Sequence, residues 1–412
     1  MFTIEELIAE ASRCIDCKTK PCMVACPAHN DIPGALKLLK QHKLDEARVL
    51  WAKTSVLPEI CGALCQNETL CVGNCTLNKL KKPIRIGEIE EALAHHRKLA
   101  FVPHPEPNGK THLVIGLGPS GIANAIRMAE AGYRVVAMDR QKQIGGSVNN
   151  LVPDFRYDKA ELTRLQERLI DLGVELRQGV DVGESIKLKD LISQYDSVFI
   201  GHGLDSPQLV PVATEGVEPY YAVDLLDKHR YTPEQLDAML GKDVAIVGLG
   251  NVAVDMARTL IRQNKNVTIL YRRTIDEAPA GKKDIMEAVE EGAIIKELLG
   301  PIRFYKSGKA KVLDCEVNCL IREEGTSRSR IEVVPDSLVK FEIDDLIFAT
   351  GQASSDHLFR GTDLQMDPVL SPYHTNHPRV FVGGDRVNRH KRIVDAMVSG
   401  LEVAKILIEA DR

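Results

Sequence analysis

Leu113-Val114-Ile115-Gly116-Leu117-Gly118-Pro119-Ser120-Gly121 reads as a buried strand, a tight glycine turn and a helix start, and it recurs as Ala245-Ile246-Val247-Gly248-Leu249-Gly250-Asn251-Val252-Ala253. The offset is 248 minus 116, or 132 residues. The same offset carries Asp139, just past the apolar run from Arg134 to Met138, onto Tyr271, just past the run from Asn266 to Leu270. Two strand-helix-strand units therefore match in register without a gap. A lone G-x-G-x-x-G is weak evidence, whereas two in this context predict two dinucleotide-binding units.

In each unit the first glycine allows the turn and the second lets the backbone approach a pyrophosphate at the helix N-terminus. The third position, Gly121 or the small Ala253, lets helix and strand pack closely. The candidate binding residues are therefore Gly116, Gly118, Pro119, Ser120 and Gly121 in one unit, and Gly248, Gly250, Asn251 and Val252 in the other. The units differ where a ribose would lie. Asp139 suits the ribose hydroxyls of the adenosine of FAD. Arg272 and Arg273, with no acid until Asp276, suit a 2'-phosphate and favour NADP(H) over NAD(H).

Eight of the ten cysteines precede these units, spaced Cys14-x2-Cys17-x4-Cys22-x3-Cys26-Pro27 and Cys61-x3-Cys65-x5-Cys71-x3-Cys75. Thiolates at such short loop spacings suit iron-sulfur clusters, whose irons each take one soft anionic ligand. Zinc is the rival, but only Cys14 and Cys17 form a C-x2-C knuckle and eight thiols exceed one tetrahedral site. A disulfide framework belongs to small secreted domains, unlike a 412-residue chain with no signal peptide at Met1-Phe2-Thr3.

Two later segments support a flavin. Asp344 to Gly351 is an apolar strand ending in a glycine turn. Arg379 to Asp385 is another, closing on Gly383-Gly384-Asp385, with helical periodicity from Ile393 to Ile408. Asp385 follows paired glycines, where a carboxylate and the backbone approach a ribityl chain or phosphate. Cys315 and Cys319 read as buried small apolar residues rather than a redox pair. The net charge of −5 gives no basic face for nucleic acid, and no apolar run approaches the roughly 18 residues of a membrane span. The expected setting is cytoplasmic, and the cluster Lys79-Leu80-Lys81-Lys82 reads as a solvated turn.

The whole chain resembles the glutamate synthase small subunit family, which includes the N-terminal half of dihydropyrimidine dehydrogenase, the NAD(P)H-oxidising subunit of its bacterial counterpart, and the large subunit of NADH-dependent ferredoxin:NADP oxidoreductase. The carrying motifs are the cysteine array leading into Lys82-Pro83-Ile84-Arg85-Ile86-Gly87, the pair Gly145-Gly146 before Val152-Pro153-Asp154-Phe155-Arg156, the run Gly248 to Asp255, the segment from Tyr271 to Ala280, and Gly383-Gly384-Asp385. The resemblance implies an α/β chain in which a helical N-terminal iron-sulfur domain precedes two Rossmann-like nucleotide-binding domains. The expected bounds are 1–105 for the cluster domain, 106–230 with 341–412 for FAD, and 231–340 for NADP(H).

It further implies two 4Fe-4S clusters, one on Cys14, Cys17, Cys22 and Cys75 and the other on Cys26, Cys65, Cys71 and Glu90, with neighbouring Glu91 the competing candidate for the last ligand and Cys61 left over. Gly146, Arg156, Gly351, Gly384 and Asp385 join the flavin contacts. Leu151 stands where the family often has glycine, and Arg392 where threonine is common. Hydride transfer requires no side-chain acid or base, so no catalytic residue is expected. The implied role is electron input from NADPH to a larger oxidoreductase subunit or a ferredoxin. The alternatives are a self-sufficient NAD(P)H:acceptor reductase and a redox-sensing binding module.

Overall fold

A computed structural model describes residues 1–97, 105–323 and 328–411. The segment 98–104, assigned above to the end of the cluster domain, lies outside the described residues. The chain forms two compact units, one of Met1–Asn149, Asp154–Leu204 and Ser354–Arg412, the other of Asn150–Pro153 and Asp205–Ala353.

The first unit begins with short helices. Thr3 caps the helix Ile4–Ser12 through a reciprocal box with Glu6, fixing its start. The helices Ile4–Ser12, Ile32–Lys40, Leu44–Ala52 and Ile86–His96 bury one core that includes Leu7, Leu36, Leu39, Trp51, Ile86 and Ile89. The cysteine loops run between these helices, which is why none exceeds 11 residues here. Downstream, a five-stranded parallel sheet has the order Val380–Val382, Ser197–Ile200, Thr111–Ile115, Arg134–Asp139, Glu175–Gln178. Its central strands are buried on both faces, as parallel strands covered by helices must be. The C-terminal helix Ile393–Ala410 crosses the helix Pro119–Glu130 so tightly that a Cβ on Gly400 would lie 2.1 Å from the Ser120 carbonyl oxygen. Arg127 and Arg168 then join the helical region to the sheet by donating to the carbonyls of Ala52 (2.8 Å) and Val56 (2.9 Å).

The second unit holds another parallel sheet, ordered Ile294–Glu297, Asn266–Tyr271, Asp243–Val247, Asp345–Phe348, Tyr220–Tyr221. A four-stranded sheet built on the long strands Leu299–Ser307, Ala310–Ile321 and Arg330–Glu342 flanks it. The segments 205–230 and 341–353, read from sequence as part of the FAD domain, join this unit because both supply strands that extend the sheet from Asp243–Val247. One sequence expectation is corrected. Cys315 is buried but Cys319 is exposed, because a register shift between Glu316 and Asn318 breaks the alternation that would put both on one face.

Candidate cofactor and cluster sites

Folding sorts the eight N-terminal cysteines into two groups. Cys14, Cys17, Cys22 and Cys75 line one cavity, closed by Pro33, Leu36, Ile84 and Ile86. Cys26, Cys61, Cys65 and Cys71 line a second, together with Glu90, Ser55, Asn67 and Val394. The Cys17 thiol lies 3.0 Å from the Thr76 hydroxyl, which ties the first cysteine loop to the turn after Cys75. Among the described residues, no three His, Cys, Asp or Glu side chains are gathered as a single metal ion requires. Four thiols around each cavity are soft donors in the number that a four-iron cluster takes.

Burial pushes the Cys22 thiol up to about 11 and raises the Cys26, Cys61, Cys65 and Cys71 thiols as well. Such groups become thiolates only when a metal supplies the compensating charge. Glu90 is 8% exposed, and burial pushes its carboxyl up to about 7 against the stabilising hydrogen bonds of Ser55 and Trp51. It continues the apolar stripe of Ile86, Ile89 and Leu93, whereas Glu91 is not on the cavity wall. The helix Pro58–Leu64 approaches the helix Ile86–His96 through Gly62, where a Cβ would lie 2.5 Å from the Glu91 nitrogen.

In the first nucleotide unit, Gly116 has φ +95° and a Cβ there would lie 2.7 Å from the Gly201 oxygen. A Cβ on Gly121 would lie 1.8 Å from the Gly116 oxygen. Gly118 is different, since a Cβ on it would meet only Gly146 Cα, at 3.9 Å. Gly118 and Gly146 thus leave an open cradle at the N-terminus of the helix opened by Pro119, where unsatisfied amides favour phosphate. The Asp139 carboxylate accepts from the backbone nitrogens of Leu117 (2.6 Å) and Gln141 (2.7 Å), leaving lone pairs for a ribose. Ser120 turns its hydroxyl to Ser399, 3.0 Å away, and so packs the helices together. Gly384 lies against Ser120 and donates its N–H to Ser399 at 2.7 Å.

Asp385 has a buried carboxylate oxygen with no protein partner, and burial pushes its carboxyl up to about 6. An orphaned acceptor beside the cradle fits a hydroxyl-rich dinucleotide such as FAD. Arg156 is half-buried in a turn of this unit. Gly351, expected beside the flavin, lies instead in the second unit, exposed at φ +114° with Gln208 as its neighbour.

The second cradle repeats the first. Gly248 has φ +117° against the Ala349 carbonyl, and a Cβ on Gly250 would meet nothing nearer than Pro279 Cγ at 3.7 Å. Asn251 is exposed at the helix start, while Val252 packs against the core. The two arginines diverge. Arg273 is held by Glu277 at 2.6 Å and by the Ser329 carbonyl, whereas Arg272 is exposed just past the strand Asn266–Tyr271.

Sequence reasoning missed Ser55 and Ser399, which act through contacts 35 and 15 residues away. It also missed Asn388, whose buried amide nitrogen lacks a partner. No local pattern marks any of them.

Fold and sites together define a class, the FAD-dependent pyridine nucleotide oxidoreductases that carry a 4Fe-4S domain. Residues 110–400 match the pyridine nucleotide-disulphide oxidoreductase family, and residues 1–100 match the 4Fe-4S domain II of dihydropyrimidine dehydrogenase. The chain is 31% identical to the glutamate synthase [NADPH] small chain of Escherichia coli (strain K12), over 98% of this chain and 91% of that one. It is 28% identical to the NAD-dependent dihydropyrimidine dehydrogenase subunit PreT of the same organism, over 98% and 94%. Among solved structures, FprA of Mycobacterium tuberculosis in complex with NADPH covers 74% of this chain, with 86% of its own length, at 17% identity and a TM-score of 0.60, which shows a common fold. The chain therefore belongs to the glutamate synthase small subunit family of the pyridine nucleotide-disulphide oxidoreductases. Among the described residues, no helix is long and apolar enough to cross a membrane.

Proposed function

We propose that this chain is an electron-input subunit that takes electrons from NADPH through FAD and two 4Fe-4S clusters to a partner oxidoreductase. The observation that carries the reading is the pair of thiol-lined cavities in the same compact unit as the first glycine cradle. Val394, on the wall of the Glu90 cavity, lies in the first turn of the helix that follows Asp385. A flavin held at the first cradle would supply the chemistry that converts a two-electron hydride donor into single electrons, and the thiols would hold the clusters suited to take them.

The residues supply binding and orientation. Gly116, Gly118, Pro119, Ser120, Gly121 and Gly146 form the pyrophosphate cradle, Asp139 takes the ribose hydroxyls, and Gly384, Asp385 and Arg156 flank the rest of the flavin. Gly248, Gly250, Asn251 and Val252 form the proposed NADPH cradle, and Gly351, expected as a cofactor contact, is a turn residue of the same unit. Cys14, Cys17, Cys22 and Cys75 hold one cluster; Cys26, Cys65, Cys71 and Glu90 hold the other. The names of the relatives, a small chain and a subunit, support a larger partner.

The test uses the isolated chain. It is expected to reduce an artificial dye with NADPH but neither to reduce a pyrimidine nor to form glutamate. Affinity purification from the native cell is expected to recover a larger oxidoreductase. Recovery of the chain alone, with fast ferredoxin reduction, would defeat the subunit reading in favour of a self-sufficient reductase.

Coenzyme choice gives a second test. Arg272→Ala is expected to weaken NADPH by about 1.5–3 kcal/mol, the worth of a charged hydrogen bond, while sparing NADH. Arg273→Ala adds to this and also frees Glu277 and the Ser329 segment. Stopped-flow flavin reduction with each coenzyme measures both. Equal losses for the two coenzymes would assign the arginines to the fold or the pyrophosphate instead.

A further inference from the structure

A four-iron cluster takes one protein ligand per iron, yet five donors line one cavity: Cys26, Cys61, Cys65, Cys71 and Glu90. Cys61 is the donor without a role. It lies one helical turn before Cys65 on the helix Pro58–Leu64 and is only 3% exposed. Its thiol lines the cavity beside Cys26, Cys65, Cys71 and Glu90, which places it among the ligands rather than in the remote core. Ser55 joins the two contenders for the fourth iron. Its hydroxyl donates to a Glu90 carboxylate oxygen at 2.7 Å, and Ser55 lines the same cavity as Cys61. The two helices carrying them cannot drift apart cheaply, since Gly62 lets the Pro58–Leu64 helix sit directly on the backbone of Glu91.

We propose that Cys61 is a reserve ligand, able to take over the iron held by Glu90 without loss of the cluster. The proposal rests on the reading that this cavity holds a four-iron cluster. In the exchange the iron–oxygen bond to Glu90 breaks and an iron–sulfur bond to Cys61 forms. The thiol proton passes to the released carboxylate, with Ser55 between them, and no electron changes hands. The incoming thiolate is the softer donor and the better match to iron-sulfur chemistry. The carboxylate is the harder one, so the two ligation states differ in spectrum and potential.

Iron content and electron paramagnetic resonance of the anaerobically purified full chain test this on four proteins. The wild type and the single variants Glu90→Ala and Cys61→Ser are each expected to carry about eight irons, four per cluster. Glu90→Ala is expected to change the signal of one cluster only, and the double variant to lose about four irons. Bound flavin reports folding in each sample, and Glu90→Leu, which fills the same buried space, stands in if the alanine variant fails to fold. Loss of about four irons from the Glu90 variant alone, or about eight irons kept by the double variant, overturns the proposal. A wild type with about four irons that Cys71→Ser does not lower would remove the cluster from this cavity, and the reserve ligand with it.

Discussion

Cys71→Ser is expected to remove about four of about eight irons per chain, and Cys17→Ser about four others, while each variant keeps its flavin. Cys71 and Cys17 face different cavities, so with the proposed ligand sets each substitution strips one ligand from one cluster. A serine hydroxyl is harder and far less readily ionised than a thiol, so it replaces the lost ligand poorly. The glycine cradle shares no residue with either cavity, which is why the flavin stays. Iron and flavin assays on anaerobic protein decide the matter. Loss of all iron from either variant would mean that the cavities are not independent, and stoichiometric zinc in the wild type would end the iron-sulfur reading.

Two glycines three residues apart are expected to fail in opposite ways. Gly121→Ala forces a Cβ to within 1.8 Å of the Gly116 oxygen, a backbone atom that cannot swing aside. Overpacking typically costs about 1–3 kcal/mol and more against fixed backbone, so the unfolding midpoint of the flavin-free protein should fall by several degrees. Gly118→Ala meets nothing within contact except Gly146 Cα at 3.9 Å, so the flavin-free protein should unfold as the wild type does. The added methyl would instead occupy the cradle, and flavin affinity should drop at least about tenfold, or about 1.4 kcal/mol. Calorimetry with and without flavin separates the two. Equal destabilisation by both substitutions would show that Gly118 serves the turn and not the ligand.

The 132-residue repeat was legible down to element starts. Thr111 and Asp243 open the first strands, Pro119 and Asn251 the helices, and Arg134 and Asn266 the second strands, each pair at that offset. Such regularity is readable because glycine turns and buried parallel strands leave few residue choices. Glu90 came from the family resemblance alone, and its place on the apolar stripe of its helix and on the wall of the second cavity is visible only in the fold. The edge of the second sheet was not legible. Tyr220–Tyr221 is two residues long, too short to carry a period, and it joins that sheet only by pairing with Asp345–Phe348. The exposed Cys319 was hidden for a related reason, because a bulge in the strand cancels the alternation that sequence reading relies on. Ser55 and Ser399 acquire their roles only through tertiary contact.

The last helix, Ile393–Ala410, spans the first unit like a strut: Asp411, just past its end, accepts from Lys110 and Tyr133, and Val394 at its start forms part of the Glu90 cavity wall. Synthesis therefore makes the cavity and its wall at different times. Val394 follows Cys71 by 394 minus 71, or 323 residues, which at about 5–20 residues per second is a delay on the order of tens of seconds. During that interval the nascent chain lacks one residue of the wall around Cys26, Cys61, Cys65, Cys71 and Glu90.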